Sequence, residues 1–303
     1  MDLGMIFDVV IVGAGPAGLS AALILGRCRR QVLVLDAGHP RNAAAEHTNG
    51  FFTRDGTPPA ELRQHGREQL ESYPNVMLQD AEVSAAERIG EHFEVLLRNG
   101  DRHRSRKLLL ATGVLDELPE IEGFVEFYGR GVFHCPYCDG WENRDKPIAI
   151  YGQGQAGKGL ALELTGWSRD IVLCSDGPAD LPDHDRVRLQ RNGIVCREEP
   201  LLCLEGRHGR LAGIRFANGE VLPRDALFLT GRERQASDLA MRLGCQMTRK
   251  GSIETGSYEK TEIPGLYVAG DASRHVQLVV VAAAEGAMAA FAINTELLKE
   301  TLI

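Results

Sequence analysis

One local pattern occurs twice in this chain, and it limits the fold more than any other feature. Phe7 to Val12 (FDVVIV) is short, continuous and β-branched, and reads as a buried strand. It stops at Gly13-Ala14-Gly15-Pro16-Ala17-Gly18. Leu19 to Leu25 then reads as helix, and Gln31 to Asp36 as a second buried strand ending in an acid. The order returns as a strand over Pro147 to Tyr151, then Gly152-Gln153-Gly154-Gln155-Ala156-Gly157, a helix from Leu160, a strand over Ile171 to Cys174, and Asp176. First glycine and terminal acid stand 23 residues apart in one unit (Gly13 to Asp36) and 24 in the other (Gly152 to Asp176). A lone Gly-x-Gly-x-x-Gly says little; between a strand and a helix, with an acid closing the next strand, it is a dinucleotide fingerprint. The first glycine allows the tight turn, the second the approach of a pyrophosphate, and the third close helix–strand packing. The helix start offers free N–H groups to the phosphates, and the acid meets the ribose hydroxyls. The pattern is an internal repeat of a mononucleotide-binding element, which implies an α/β chain with two Rossmann-like domains.

The 303 residues suit two domains of ordinary size, and 44% hydrophobic residues suffice for two cores. A net charge of −8 points away from nucleic acid and from anionic membranes. Seven cysteines without regular spacing do not form a secreted disulfide framework. Met1-Asp2-Leu3-Gly4 lacks the basic region of a signal peptide, and the apolar run Leu278 to Ala284 is too short to cross a membrane. The expectation is a soluble protein of a reducing, cytoplasmic compartment.

Arg41 to Pro59 is loop-like; Asn42, Asn49, Phe51 and Phe52 read equally well as cofactor-lining residues or as ordinary surface loop. Pro59 to Tyr73 has helical spacing, and Val76–Leu78, Glu82–Ala86 and His92–Leu97 read as strands. Lys107 to Thr112 is a buried strand whose small-residue end, Ala111-Thr112-Gly113, permits close approach to a cofactor. Ala226 to Thr230, closed by Gly231, echoes it. Gly265 to Ala269 leads into Gly270-Asp271, and Gln277 to Asn294 reads as a buried helix.

Between the two units lies Phe133-His134-Cys135-Pro136-Tyr137-Cys138-Asp139-Gly140. A Cys-x-x-Cys turn can close into a disulfide or hold one thiol as the thiolate that attacks another disulfide. Asp139 is placed to return a proton to the leaving thiolate once burial raises its pKa. The competing reading is half of a zinc site. It lacks a second ligand pair, since Cys28, Cys174, Cys196, Cys203 and Cys245 stand singly in or beside apolar runs and read as packing residues. His134 reads as an aid to Cys135 or as a packed strand-end residue. Tyr137 and Trp141 read as packing around the turn.

Taken together, these motifs resemble the low-molecular-weight thioredoxin reductases and their flavin-dependent relatives. The match runs in order along the chain through Gly13-x-Gly15-x-x-Gly18, Ala111-Thr112-Gly113, Cys135-x-x-Cys138-Asp139-Gly140, Gly152-x-Gly154-x-x-Gly157 and Ile263-Pro264-Gly265-Leu266-Tyr267-Val268-Ala269-Gly270-Asp271. The variant Cys135-Pro136-Tyr137-Cys138-Asp139-Gly140-Trp141-Glu142 is similar to the branch with the dithiol oxidases of gliotoxin- and holomycin-type biosynthesis, many of which carry His where this chain has Asp139. The resemblance implies three-layer FAD/NAD(P)-binding domains, the second inserted in the first: residues 1–115 and 246–303 for FAD, residues 116–245 for the second nucleotide and the thiols. It implies FAD contacts from Gly13, Gly15, Pro16, Ala17, Gly18, Asp36, Asn42, Asn49, Val83, Ala111, Thr112, Gly113, Gly270, Asp271 (on the ribityl chain), Gln277 and Leu278. A helix N-terminus near the last two would face the flavin's pyrimidine edge. It implies Cys138 as the inner thiol that exchanges with flavin, Cys135 as the outer thiol and Asp139 as the acid. It also implies a homodimer, and a thioredoxin-like protein or a small disulfide or dithiol as substrate.

One departure is large. NADPH-using members carry a His-Arg-Arg motif and a later Arg after the second unit's strand, where arginines clamp the 2′-phosphate. Here the stretch is Cys174-Ser175-Asp176-Gly177-Pro178-Ala179-Asp180, with Asp183 and Asp185 beyond. That opposes NADPH. It admits NADH with Asp176 on the ribose, or no nicotinamide at all, as in ferredoxin-driven or oxygen-driven relatives. The alternatives to a disulfide reductase are a dithiol oxidase passing electrons to oxygen and a flavin-bearing redox sensor without turnover.

Overall fold

The computed structural model describes residues 5–302, so the reading of Met1–Gly4 lies outside the described residues. Two compact units are present. One comprises residues up to Ala43, Phe51–Leu115 and Glu233 onward; the other comprises Ala44–Gly50 and Asp116–Arg232.

The first unit opens with β1 (Ile6–Val12), α1 (Pro16–Arg27), β2 (Val32–Asp36), α2 (Pro59–Leu70), β3 (Val76–Asp80), β4 (Val83–Ile89), β5 (His92–Leu97), β6 (Arg102–Leu110) and β7 (Val114–Glu117). Strands β3, β2, β1 and β6 lie side by side in parallel. The β-branched run of β1 is buried on both faces, as a central parallel strand must be. β4 and β5 continue the sheet in antiparallel fashion from the outer part of β6.

The second unit holds α3 (Phe124–Phe127), β8 (Val132–Phe133), α4 (Pro136–Asp139), β9 (Ile148–Tyr151), α5 (Gly154–Leu164), β10 (Ile171–Cys174), α6 (Asp183–Arg191), β11 (Val195–Arg197), β12 (Leu201–Arg207), β13 (Arg210–Phe216), β14 (Val221–Pro223) and β15 (Ala226–Leu229). Its core sheet is parallel throughout, in the order β11-β10-β9-β15-β8, beside an antiparallel β12-β13-β14 sheet. Parallel sheet, crossover helix and antiparallel strands therefore recur in both units, as the repeated fingerprint requires.

The chain returns through β16 (Arg232–Gln235), α7 (Leu239–Arg242), β17 (Leu266–Val268) and α8 (Val279–Thr301). β17 pairs in parallel with the inner part of β6. The return boundary falls at Arg232/Glu233 rather than at 245/246, because Leu239, Ala240 and Cys245 bury into the same core as Phe7, Val10 and Leu108. α8 extends to Thr301, and it is long and apolar enough to cross a membrane, which the shorter expected run was not. Its small residues Ala282, Ala289 and Ala290, with Ile293, pack into the core with Ala17, Ala21 and Ala22 of α1. Gly286 is required there, since a Cβ would stand 1.9 Å from the Ala17 carbonyl oxygen.

Candidate active site

Cys135 stands two residues after β8 and caps α4, with Pro136 in the first turn, where its missing N–H costs nothing. Cys135 and Cys138 form a disulfide with Cα atoms 5.2 Å apart. The turn is held by backbone bonds from the Asp139 and Gly140 N–H groups to the carbonyls of Cys135 (3.1 Å) and Pro136 (2.8 Å). Two side-chain amides hold it from outside: Asn49 donates to the Cys138 carbonyl (2.9 Å) and Asn143 to the Asp139 carbonyl (2.8 Å). Gly140 leaves room for the indole of Trp167, which a Cβ would meet at 2.9 Å.

Asp139 sits where the sequence places an acid. Burial raises its pKa to about 7, and the nearby Glu142 charge adds to the rise. It therefore holds a transferable proton at neutral pH. His134 is tied into an array: its Nδ1 lies 2.9 Å from Tyr128 Oη, and Tyr128 donates to Asp116 Oδ2 at 2.7 Å. With the single phenolic proton given to Asp116, His134 Nδ1 is the donor to Tyr128. Tyr137 and Trp141 do not pack inward as expected. They are 67% and 65% exposed, Tyr137 edge-on to Trp167 and Trp141 under the Arg144 guanidinium at 4.1 Å. Of the single cysteines, Cys174 and Cys245 are buried and Cys28 is exposed.

In the first unit the glycines divide by role. A Cβ at Gly13 (φ +105°) would stand 2.3 Å from the Ala111 carbonyl oxygen, and one at Gly18 would stand 1.8 Å from the Gly13 carbonyl oxygen. Both are demanded by the protein's own packing. A Cβ at Gly15 meets nothing within 4 Å, and α1 starts there without a side-chain cap. An open cradle over uncapped N–H groups fits a pyrophosphate. Asp36 accepts from the Ala14 N–H (3.3 Å) and faces Arg67 (3.4 Å). Gly270 packs against Ala17, with a virtual Cβ contact of 3.1 Å. Gly13–Gly18, Ala111–Gly113 and Gly270–Asp271 are thus brought together, and Leu278 caps α8 without a side-chain bond. Asn42 lies in a short 3-10 turn, Arg41–Ala44. Val83 begins β4 and packs against the core, while Asn49 belongs with the second unit and its disulfide turn.

Sequence reasoning missed Arg41, Glu233 and Glu285. Arg41 Nη1 lies 3.0 Å from Asp271 Oδ2 and 2.5 Å from Gln277 Oε1, and Glu285 accepts the Gly270 N–H at 2.8 Å. Arg41 adjoins Asn42, the one signal that pointed near it; Glu233 and Glu285 carried none, being set by tertiary contact alone.

The second fingerprint repeats the packing. A Cβ at Gly157 would stand 2.7 Å from Gly152, and Gly154 takes φ +56° with open space beside it. The closing acid also has partners inside the fold. Asp176 accepts from the Leu201 N–H (2.7 Å) and from Tyr151 Oη (3.2 Å), so both of its oxygens have internal donors. The Gly154 N–H goes to the Ala179 carbonyl (2.8 Å). The acidic stretch is also less charged than its sequence suggests: Asp185 lies on α6, buried, and pairs with Lys158 at 2.9 Å. Arg186 pairs with Glu198 at 2.5 Å, and Arg197 with Glu199 and Glu220. These cations are already paired, which leaves them less free to hold a 2′-phosphate.

Comparison with known proteins agrees with this geometry. Residues 7–286 match the family described as pyridine nucleotide-disulphide oxidoreductase. The chain is 30% identical to thioredoxin reductase tcpT of Claviceps purpurea over 312 residues, covering 99% of this chain and 97% of that protein. Among solved structures it is similar to HlmI (TM-score 0.94, 37% identity, 98% of this chain and 94% of that one). It is also similar to a putative thioredoxin reductase, TrxB, of Bacillus anthracis (TM-score 0.93, 30% identity, 98% and 100%). The chain belongs to the pyridine nucleotide-disulphide oxidoreductases, as an enzyme of their thioredoxin reductase-like, flavin-dependent kind.

Proposed function

We propose that the chain binds FAD in its first unit and uses the Cys135–Cys138 pair to exchange electrons with a thioredoxin-like protein or a small disulfide. The observation that carries this reading is a partly buried acid with a pKa of about 7 directly after the second cysteine of a disulfide. FAD, when bound, supplies the two-electron store, held by the Gly15 cradle, Asp36 and Asp271. Everything else falls to the chain's own residues. In the dithiol form Cys135 attacks the substrate disulfide as a thiolate. One substrate sulfur leaves and takes the proton held by Asp139. Cys138 then attacks the mixed disulfide, frees the second substrate thiol and restores the Cys135–Cys138 bond. The assignment of Cys138 as the inner and Cys135 as the outer thiol follows the resemblance. Asn49 and Asn143 keep the turn in place while its disulfide opens and closes.

A second reading is favoured by the internal partners of Asp176 and the paired cations around it. The same thiols then run as a dithiol oxidase: a substrate dithiol becomes a disulfide, and oxygen takes two electrons and two protons to give hydrogen peroxide. Under either reading NADPH is the disfavoured nucleotide, and a ferredoxin is an alternative donor. Homodimerisation is supported by an exposed apolar stripe on α8, with Met288, Phe291 and Leu298 on it and the Tyr258 ring tilted against Phe291. A cytoplasmic location accords with the free cysteines Cys174 and Cys245. The deciding experiment is turnover of the purified protein with oxidised thioredoxin and with small disulfides, supplied in turn with NADH, NADPH and reduced ferredoxin, beside peroxide release from small dithiols in air. Disulfide reduction with any donor supports the first reading, and peroxide formation alone the second. Neither activity in a flavin-loaded protein overturns both and leaves the sensor.

A further inference from the structure

Four polar side chains of the first unit close into a ring that no sequence motif announces. The Arg41 guanidinium, 14% exposed, reaches Asp271 (3.0 Å), Gln277 (2.5 Å) and Glu233 (3.4 Å). Gln277 Nε2 completes the ring by donating to both Glu233 oxygens, at 2.9 and 2.7 Å. Two of the members, Asp271 and Gln277, are residues expected to meet the ribityl chain and the pyrimidine edge of FAD. The other two, Arg41 and Glu233, have no assigned role.

The charges explain why the ring is built this way. Asp271 and Glu233 are both acids, and each is mostly shielded from water, with side-chain exposures of 21% and 28%. A cofactor that brings a pyrophosphate into the same unit, and gains negative charge when reduced, adds to a site already carrying two carboxylates. Arg41 is the cation that bonds to both. Removing it leaves two partly buried carboxylates without their shared partner, which costs more than an exposed ion pair would.

We propose that Arg41 is a cofactor-site residue that neutralises Asp271 and Glu233, strengthens FAD binding and favours the reduced cofactor, while Glu233 opposes it by holding Gln277 and lending negative charge. The proposal rests on the first unit being the FAD site. Because Arg41 and Glu233 carry opposite charge, their removal acts in opposite directions on the flavin potential, which a merely structural ring would not do. Lysine at position 41 restores charge without the forked geometry that reaches Asp271 and Gln277 from Nη1 and Glu233 from Nη2, so it rescues in part.

The test compares wild type, Arg41→Ala, Arg41→Lys, Glu233→Gln and Gly15→Val. FAD dissociation is read from recovered flavin fluorescence, and the midpoint potential from equilibration with a reference dye. Expected are an FAD affinity lowered by about tenfold or more in Arg41→Ala, a potential shifted negative in the flavin that remains, partial recovery in Arg41→Lys, and a positive shift in Glu233→Gln. The inference is overturned if Gly15→Val loses its flavin while Arg41→Ala retains it with unchanged potential, or if Glu233→Gln shifts the potential negative. Should Arg41→Ala prove insoluble, the direction of the Glu233→Gln shift decides by itself. A wild-type protein that takes up no flavin overturns the underlying reading rather than the ring alone.

Discussion

Replacing Asp139 by Asn tests the proton account most directly. Its pKa is raised from 3.8 to about 7, chiefly by burial and secondarily by Glu142. At roughly 1.36 kcal/mol per unit, ionising it inside the fold costs about 4 kcal/mol more than in the unfolded chain. The sign follows from proton binding. Between pH 4 and 7 the folded chain holds a proton that the unfolded chain has lost, so wild-type stability falls as pH rises through this window and levels off above about 7. Asp139→Asn has no proton to lose there, so its stability curve is flatter and it is the more stable protein at pH 8. Activity moves the other way. The wild type holds the proton for the leaving thiolate below about pH 7 and loses it above, and the variant loses that proton at every pH. General acid catalysis is worth on the order of 10²–10⁴-fold, and a loss in that range is expected in kcat. Thermal melts from pH 4 to 9, with single-turnover disulfide exchange on the same protein, measure both effects. A variant that keeps a break near pH 7 in its rate profile, or the same slope in its stability, would show that Asp139 is not the titrating acid.

Three further outcomes follow from the geometry. Gly15→Val loses FAD while keeping a folded circular-dichroism spectrum, because its side chain enters open space, whereas Gly18→Ala fails to fold because its Cβ would stand 1.8 Å from the Gly13 carbonyl oxygen; equal behaviour of the two would refute the cradle. Cys135→Ser leaves Cys138 as a lone thiolate with a long-wavelength flavin charge-transfer absorption, Cys138→Ser lacks that band, and both lose disulfide turnover; the opposite pattern reverses the thiol roles. In stopped-flow reduction NADPH trails NADH by at least about tenfold, the equivalent of 1.4 kcal/mol. Asp176→Asn, which keeps an acceptor for the Leu201 N–H, narrows that margin, and fast flavin reduction by micromolar NADPH would refute the exclusion.

Much of this protein is visible in short stretches of sequence. Gly13 is forced by its φ of +105° and Gly18 by the Gly13 carbonyl five residues before it, and β1 and β9 by continuous apolar runs. A four-residue spacing is enough for the Cys135–Cys138 turn, because its geometry is local. The same locality explains the errors. The sequence suggests 245 as the end of the second unit because nothing near that residue shows that Leu239, Ala240 and Cys245 bury against Phe7 and Leu108. Asp176 reads as a ribose ligand from its distance to Gly152, and nothing nearby announces the donors to its oxygens, the Leu201 N–H and Tyr151 Oη, each 25 residues away. Tyr137 and Trp141 read as packing residues by their type, but the short α4 and the turn after it leave both largely exposed.

By itself the sequence determined what backbone sterics and hydrophobic period control: two glycine-cornered strand–helix–strand units, a disulfide turn, and an acid beside it. Only the tertiary structure decided which charges are left available. It shielded Asp139 in part and so raised its pKa to about 7, it satisfied Asp176 and paired Asp185, Arg186 and Arg197, and it brought Arg41 to Asp271 across 230 residues of chain. The division has one physical reason. Strand, turn and helix signals are carried by neighbours in sequence, while solvation and charge pairing depend on whatever the fold places within a few ångströms.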